Sequence, residues 1–198
     1  MNPAVHVLVF EGFADWEPAY ALAELRRSGG LDIVTIGFTG APVRSMGGLR
    51  VVPDRALAGL DPAAVRLLIL PGGDMWEGIY PRAELDAVLA ELRAREVPIA
   101  AICGATLALA RAGLLNDRAH TSNEQAYLTS LAPEYAGGGQ YVDELAVRDR
   151  QVITASGLGP WRVTRYCTMA ADSVMKVSPS ISAGIVPSGL TAIYSLAR

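Results

Sequence analysis

Lysine is almost missing from this chain. Lys176 is the only one in 198 residues, and no run of Lys or Arg occurs anywhere, so the electrostatic footprint of a nucleic-acid binder is absent. With 17 basic and 20 acidic side chains the net charge is −3 and the pI about 5.4, which supplies no field to draw phosphates. Cysteine is equally scarce. Cys103 and Cys167 are too few for a disulfide scaffold, and a reducing, cytoplasmic setting is the expectation. The two histidines, His6 and His120, and the two cysteines show no C-x-x-C or H-x-x-x-H spacing, so no metal site is expected. Neither Gly47-Gly48 nor Gly137 to Gly139 belongs to a G-x-G-x-x-G or Walker pattern, and no organic cofactor is expected. The apolar stretch Val5 to Phe10 is far shorter than the ~18 residues of a membrane span, and Met1 to Ala4 lacks a basic leader. No membrane partner is predicted.

What is present is apolar. Hydrophobic residues make up 51% of the chain and charged ones 19%, a balance that excludes intrinsic disorder and supports one sizeable core. Short apolar runs alternate with longer amphipathic ones, the order expected of parallel strands joined by crossover helices. Strands are predicted at His6 to Phe10, Leu31 to Phe38, Val65 to Leu70 and Pro98 to Cys103. Helices are predicted at Ala14 to Arg27, with Pro18 in the first turn and Gly29-Gly30 as the stop, at Pro81 to Arg95, and at Gly104 to Ala112. Met46 to Val52 reads as a short accessory edge strand, and His120 to Asn123 as another, followed by a helix over Glu124 to Leu131. Gln140 to Val147 and Gln151 to Ala155 read as two strands around a turn at Arg148-Asp149-Arg150.

Residues 1–160 form one predicted domain. The end differs, with six serines and the only lysine in its last 38 residues against five serines before them. One reading is a helix from Pro160 to Val177 and a mobile tail. The other is an original helix replaced through a shifted reading frame or a vector-derived end.

The segment Ala100-Ala101-Ile102-Cys103-Gly104-Ala105-Thr106 places a thiol where a strand runs into a helix. Such an elbow exposes a nucleophile above the strand ends, and a helix N-terminus there is expected to acidify it. A small buried Cys at a strand end is the plain alternative. Asp15-Trp16-Glu17, Pro71-Gly72-Gly73-Asp74 and His120 fall at or near other strand ends, where ligands bind in open α/β sheets.

The order Asp-Trp-Glu, Leu-Pro-Gly-Gly-Asp, Ala-Ile-Cys-Gly-Ala-Thr, His-Thr-Ser-Asn and Thr-Ala-Ser-Gly resembles the ThiJ/PfpI superfamily over residues 4–160. The resemblance implies a flavodoxin-like α/β/α sandwich with a mostly parallel sheet, of the class I glutamine amidotransferase type, and a homodimer. Carried over by motif, it makes Cys103 the nucleophile, Glu17 its acidic partner, and the Gly73 and Gly104 N–H groups oxyanion donors. Trp16, Asp74, Met75 and Trp76 would wall the pocket, core packing being an equal reading for Trp16, Met75 and Trp76. Peptidase-like members place a histidine directly after the cysteine, whereas Gly104 stands here, which counts against proteolysis. Other branches use a downstream histidine as base. His120 is the candidate, but an offset of one or two positions can turn its ring to the other strand face, so the reading leans against it.

The function so implied is a cysteine-dependent enzyme acting on a small carbonyl or amide, glyoxalase, deglycase or amidase-like. It requires Glu17 to be buried and neutral, so that it donates to a thiolate rather than repelling it. The alternatives are a redox-sensing or stress-response protein, in which the same cysteine is oxidised without turnover, and a degenerate domain that binds a partner.

Overall fold

A computed structural model describes residues 3–27 and 30–175. The first strand, β1 (Ala4–Val9), is buried at all six positions and leads into α1 (Trp16–Arg27). Pro18 sits in the first turn of α1, where a missing N–H costs no intrahelical bond. Then come β2 (Ile33–Gly37), the short strands β3 (Val43–Arg44), β4 (Arg50–Val51) and β5 (Arg55–Ala56), and β6 (Val65–Leu70). Helix α2 (Arg82–Ala94) buries Leu85, Leu89 and Leu92 at helical spacing and precedes β7 (Ile99–Ile102). The remainder is α3 (Thr106–Arg111), α4 (Gln125–Leu131), β8 (Ala146–Asp149), β9 (Val152–Ala155) and α5 (Val163–Met175).

Seven strands form one sheet in the order β5-β2-β1-β6-β7-β9-β8, parallel throughout except for β8 against β9. Its central strands are apolar at nearly every position because helices cover both faces. Leu8, Leu68, Leu70 and Ala101 face the layer of α2, α3 and α4, where Leu85, Leu89, Leu107 and Leu128 are buried. Val5, Val7, Leu67, Ile69, Ala100 and Ile102 face the opposite layer, against Ala21 and Leu25 of α1 and Val163, Cys167 and Ala170 of α5. This is the predicted three-layer α/β/α sandwich. Buried Arg66 on β6 holds α5 in place, donating from Nε and Nη2 to the Ala171 carbonyl at 2.9 and 2.8 Å.

Four local expectations are corrected. The accessory strand at Met46 to Val52 is instead a separate antiparallel pair, β3 with β4, turning at Gly48 (φ 86°). His120 to Asn123 is not a strand but a single parallel bridge from His120 to Tyr141. Side chains displace the ladder there: the Thr121 N–H donates to Thr154 Oγ1 (2.8 Å) and Thr121 Oγ1 donates to the Glu144 carbonyl (2.7 Å). The hairpin turns one residue later than read, with Asp149 paired to Val152 and Arg150 taking the left-handed φ of 54°. The helix expected from Gly104 begins as a 3-10 turn over Cys103–Ala105, and α3 covers only six residues. Beyond Met175, the predicted helix end at Val177 and the tail lie outside the described residues. Among those described, no helix is long and apolar enough to cross a membrane.

Candidate active site around Cys103

Four adjacent strands deliver one segment each to the carboxyl edge of the sheet. Glu17 lies on the first turn of α1 after β1, Pro71-Gly72-Gly73 follow β6, Cys103 follows β7, and Ser156-Gly157 follow β9. That edge is where a doubly wound sheet leaves a crevice. Cys103 has φ 56°, a conformation unfavourable for a residue with a Cβ. Thr106 Oγ1 ties the elbow by donating to the Cys103 carbonyl at 2.6 Å, with Ser122 Oγ 2.7 Å from the same hydroxyl.

Glu17 is 2% exposed and accepts the Gly72 N–H on Oε2 at 2.5 Å, with its carboxyl within hydrogen-bonding reach of Cys103. Two glycines allow that approach. A Cβ on Gly72 would stand 2.8 Å from both Glu17 oxygens and 2.9 Å from Cys103 Cβ, and one on Gly157 would stand 2.9 Å from Cys103 Sγ. Asn123 closes the ring, donating from Nδ2 to Sγ at 3.3 Å while its Oδ1 accepts the Gly157 N–H at 3.0 Å.

A family model for the DJ-1/PfpI family matches residues 3–162. The chain belongs to the DJ-1/PfpI family. It is 38% identical over 163 residues to YoaZ of Bacillus subtilis (strain 168), named an uncharacterized protease, spanning 79% of this chain and 77% of that one. It is 31% identical over 135 residues to the glutathione-independent glyoxalase DJR-1.2 of Caenorhabditis elegans, covering 66% and 68% of the two chains. The crystal structure of a DJ-1 superfamily protein from Agrobacterium tumefaciens superposes with a TM-score of 0.79 at 37% identity, covering 89% of this chain and 92% of that one.

Within this DJ-1/PfpI site the charge balance differs from expectation in one respect. Burial pushes the Glu17 carboxyl above its ordinary range, the direction the sequence reading required, although the Gly72 N–H pulls it back. Burial also pushes the Cys103 thiol up, and an ionised Glu17 adds to this, against the lowering by Asn123 and the Gly104 N–H. The predicted acidification of the free-standing thiol is therefore reversed. Burial is the largest influence, and the Asn123 and Gly104 donors do not offset it. Cys167, fully enclosed between β-sheet and α5, is pushed up to about 12.

His120 is not brought to the sulfur. Its Nδ1 faces the Arg118 carbonyl at 2.8 Å and its Nε2 faces Tyr135 Oη at 2.6 Å, with Tyr135 and Tyr141 rings edge-on to it. A carbonyl only accepts, so Nδ1 carries the hydrogen and Nε2 accepts from the phenol. Burial lowers the His120 pKa, which holds the ring neutral. His6 is buried in β1 with Nδ1 on the Ala4 carbonyl.

Of the two readings of Trp76, the structure has the core one: it is fully buried, its indole N–H donates to the Pro71 carbonyl at 2.8 Å, and Phe10 and Tyr80 pack edge-on against it. It braces the Pro-Gly-Gly turn from beneath. Trp16 is 54% exposed, Asp74 is exposed and Met75 partly buried against the core. A cavity of about 200 Å³ beside the site is bounded by Ser122, Asn123, Asp143, Glu144, Leu145, Ser156 and Leu158. Another concavity, about 580 Å³, lies between α2 and α3 and holds none of these groups.

Asn123, Gly157 and Tyr127 join the neighbourhood without having been singled out from sequence. Tyr127 Oη donates to Glu77 Oε1 at 3.0 Å and stands 3.3 Å from where a Cβ on Gly104 would be. Asn123 and Gly157 do close two motifs, His-Thr-Ser-Asn and Thr-Ala-Ser-Gly, and that terminal position was the available signal.

Proposed function

We propose that the protein is a cysteine-dependent enzyme acting on a small carbonyl compound, an α-oxoaldehyde or an activated acyl group, with Cys103 as nucleophile. The observation that carries this reading is the crowding of the buried Glu17 carboxyl and of Cys103 against the same two glycines, Gly72 and Gly157. A buried carboxylate with raised proton affinity is a good acceptor for a thiol proton, and once protonated it donates back to the thiolate instead of repelling it. The sulfur then adds to the carbonyl carbon, giving a hemithioacetal from an aldehyde or a thioester from an acyl group. The Gly73 and Gly104 N–H groups, on the turns either side of the sulfur, are the donors available to the oxyanion. His120 has no part in this reading.

The test pairs iodoacetamide alkylation of Cys103 with consumption of methylglyoxal across pH. Buried Cys167 is expected to stay silent, and Cys167→Ala provides the check. Methylglyoxal consumption that disappears in step with Cys103 alkylation is the expected result. Alkylation without any consumption would favour the redox-sensor reading, and an unreactive Cys103 would sink both. We propose further that the protein is a homodimer, with exposed Trp16 and Tyr20 on α1 and Trp161 on the adjoining turn as its apolar face. Sedimentation as a monomer at micromolar concentration would remove that part.

A further inference from the structure

The proposed chemistry gives the thiol a base in Glu17 but leaves the second half of an acyl transfer without one. Release of product from sulfur requires a water to lose a proton as it attacks the thioester carbon, and His120 is held elsewhere by Arg118 and Tyr135. The loop and helix that carry Asn123 to the sulfur bring another group with them. Four residues on, near the start of α4, the half-buried Tyr127 reaches over Gly104 and interacts electrostatically with Cys103. Its hydroxyl hydrogen is committed to Glu77 Oε1 at 3.0 Å. The phenolic oxygen therefore keeps its lone pairs as acceptors 3.3 Å from where a Cβ on Gly104 would be, and its proton has an exposed carboxylate to go to.

We infer that Tyr127 and Glu77 form the base that activates water for hydrolysis of the acyl intermediate on Cys103. This rests on the nucleophile reading above and adds a second catalytic pair to it. In the step, the water oxygen bonds to the acyl carbon while a water proton passes to Tyr127 Oη and the Tyr127 proton passes to Glu77. The tetrahedral intermediate then collapses, the carbon–sulfur bond breaks with its electron pair on Sγ, and the carboxylic acid leaves. Glu77 returns its proton to solvent. The phenol never stands ionised, in keeping with burial and Glu77 holding its pKa well above the ordinary tyrosine value.

The probe is p-nitrophenyl acetate, whose nitrophenolate release reports acylation and whose steady state reports hydrolysis. Tyr127→Phe and Glu77→Gln are expected to keep the rate of acylation and lose steady-state turnover on the order of 10²-fold, the low end of general-base catalysis. Acetylated Cys103 should accumulate in the quenched variants beyond its level in the parent, read by mass spectrometry. Glu77 is exposed, so its variant tests the pair even if Tyr127→Phe folds poorly. Parental steady-state rates in both variants would overturn the inference, as would acylation slowed in the same proportion as turnover. Should Cys103→Ser turn the ester over as fast as the parent, the nucleophile reading itself fails. Parental turnover that depends on Cys103, with no extra acetylation in either variant, removes the Tyr127–Glu77 pair alone.

Discussion

Glu17→Gln is expected to lower methylglyoxal turnover by roughly 10²- to 10⁴-fold, the range for loss of a positioned general acid–base, with the thiol's own titration midpoint little changed. The two expectations come from one arrangement. Glu17 and Cys103 share an enclosed space, so the first proton lost belongs to the pair, and carboxylate–thiol and carboxylic acid–thiolate are alternative forms of one state. Glutamine copies the neutral acid as a donor toward the sulfur and as an acceptor for the Gly72 N–H, so a thiolate that already sits beside a neutral acid titrates much as before. It cannot accept a proton, and turnover falls. If Glu17 were the ionised member, removing its charge would let the Cys103 midpoint fall steeply. The alkylation rate of Cys103 against pH in parent and variant reads the difference, and a large fall would contradict the neutral acid.

The same substitution has a signature in stability. The folded-state pKa of Glu17 is raised by burial above its unfolded value. Between those two values the folded state holds the proton more tightly, so the parent loses stability as pH rises through that window and regains none above it. Glu17→Gln has no such loss. Its Tm is expected to match the parent's below the unfolded carboxyl pKa and to exceed it at neutral pH. Parallel Tm profiles across pH 4 to 8, a span bracketing the ~4.3 of a free Glu, would mean that burial does not penalise the charge.

Local chemistry explains what could be read in advance. The elbow at Cys103, the Pro-Gly-Gly turn and the strand beginning at Val65 are set by residues adjacent in sequence, and each appears where the pattern placed it. The acidity of the thiol was misjudged because it depends on enclosure by α1 and the β9 turn, which no neighbouring residue announces. His120 misses the sulfur without any strand alternation, because its ring packs between Tyr135 and Tyr141 and both ring nitrogens find partners there. Trp76 follows from size, since an indole packed edge-on between Phe10 and Tyr80 is wholly buried and needs only one acceptor, the Pro71 carbonyl. Asn123 and Tyr127 were not assigned because their roles are tertiary. One loop and the helix after it carry both to a sulfur made 20 residues earlier than Asn123.

Gly157→Ala is expected to reduce kcat/KM about 10²-fold, the scale of an ångström-sized misplacement of a reacting group, while costing only about 1–3 kcal/mol of stability as local overpacking. The added methyl would meet Cys103 Sγ at 2.9 Å, Cys103 Cβ at 3.1 Å and Glu17 Oε1 at 3.4 Å. Something has to move, and the choices are few. The Cys103 backbone is held in its left-handed conformation by β7 on one side and by Thr106 Oγ1 on the other. The sulfur must therefore rotate or the β9 turn must lift, and lifting it breaks the Gly157 N–H bond to Asn123 that aims the amide at Sγ. Either movement separates the thiol from its donors without touching the sheet. Gly139→Ala is the control, because its added Cβ meets nothing within 4 Å, and it should leave both kcat/KM and Tm at parental values. Parental kcat/KM in Gly157→Ala, with an unchanged alkylation rate, would show that the sulfur has room to spare. The close fit around Cys103 would then be packing alone, and Glu17 would have to act without an enforced contact.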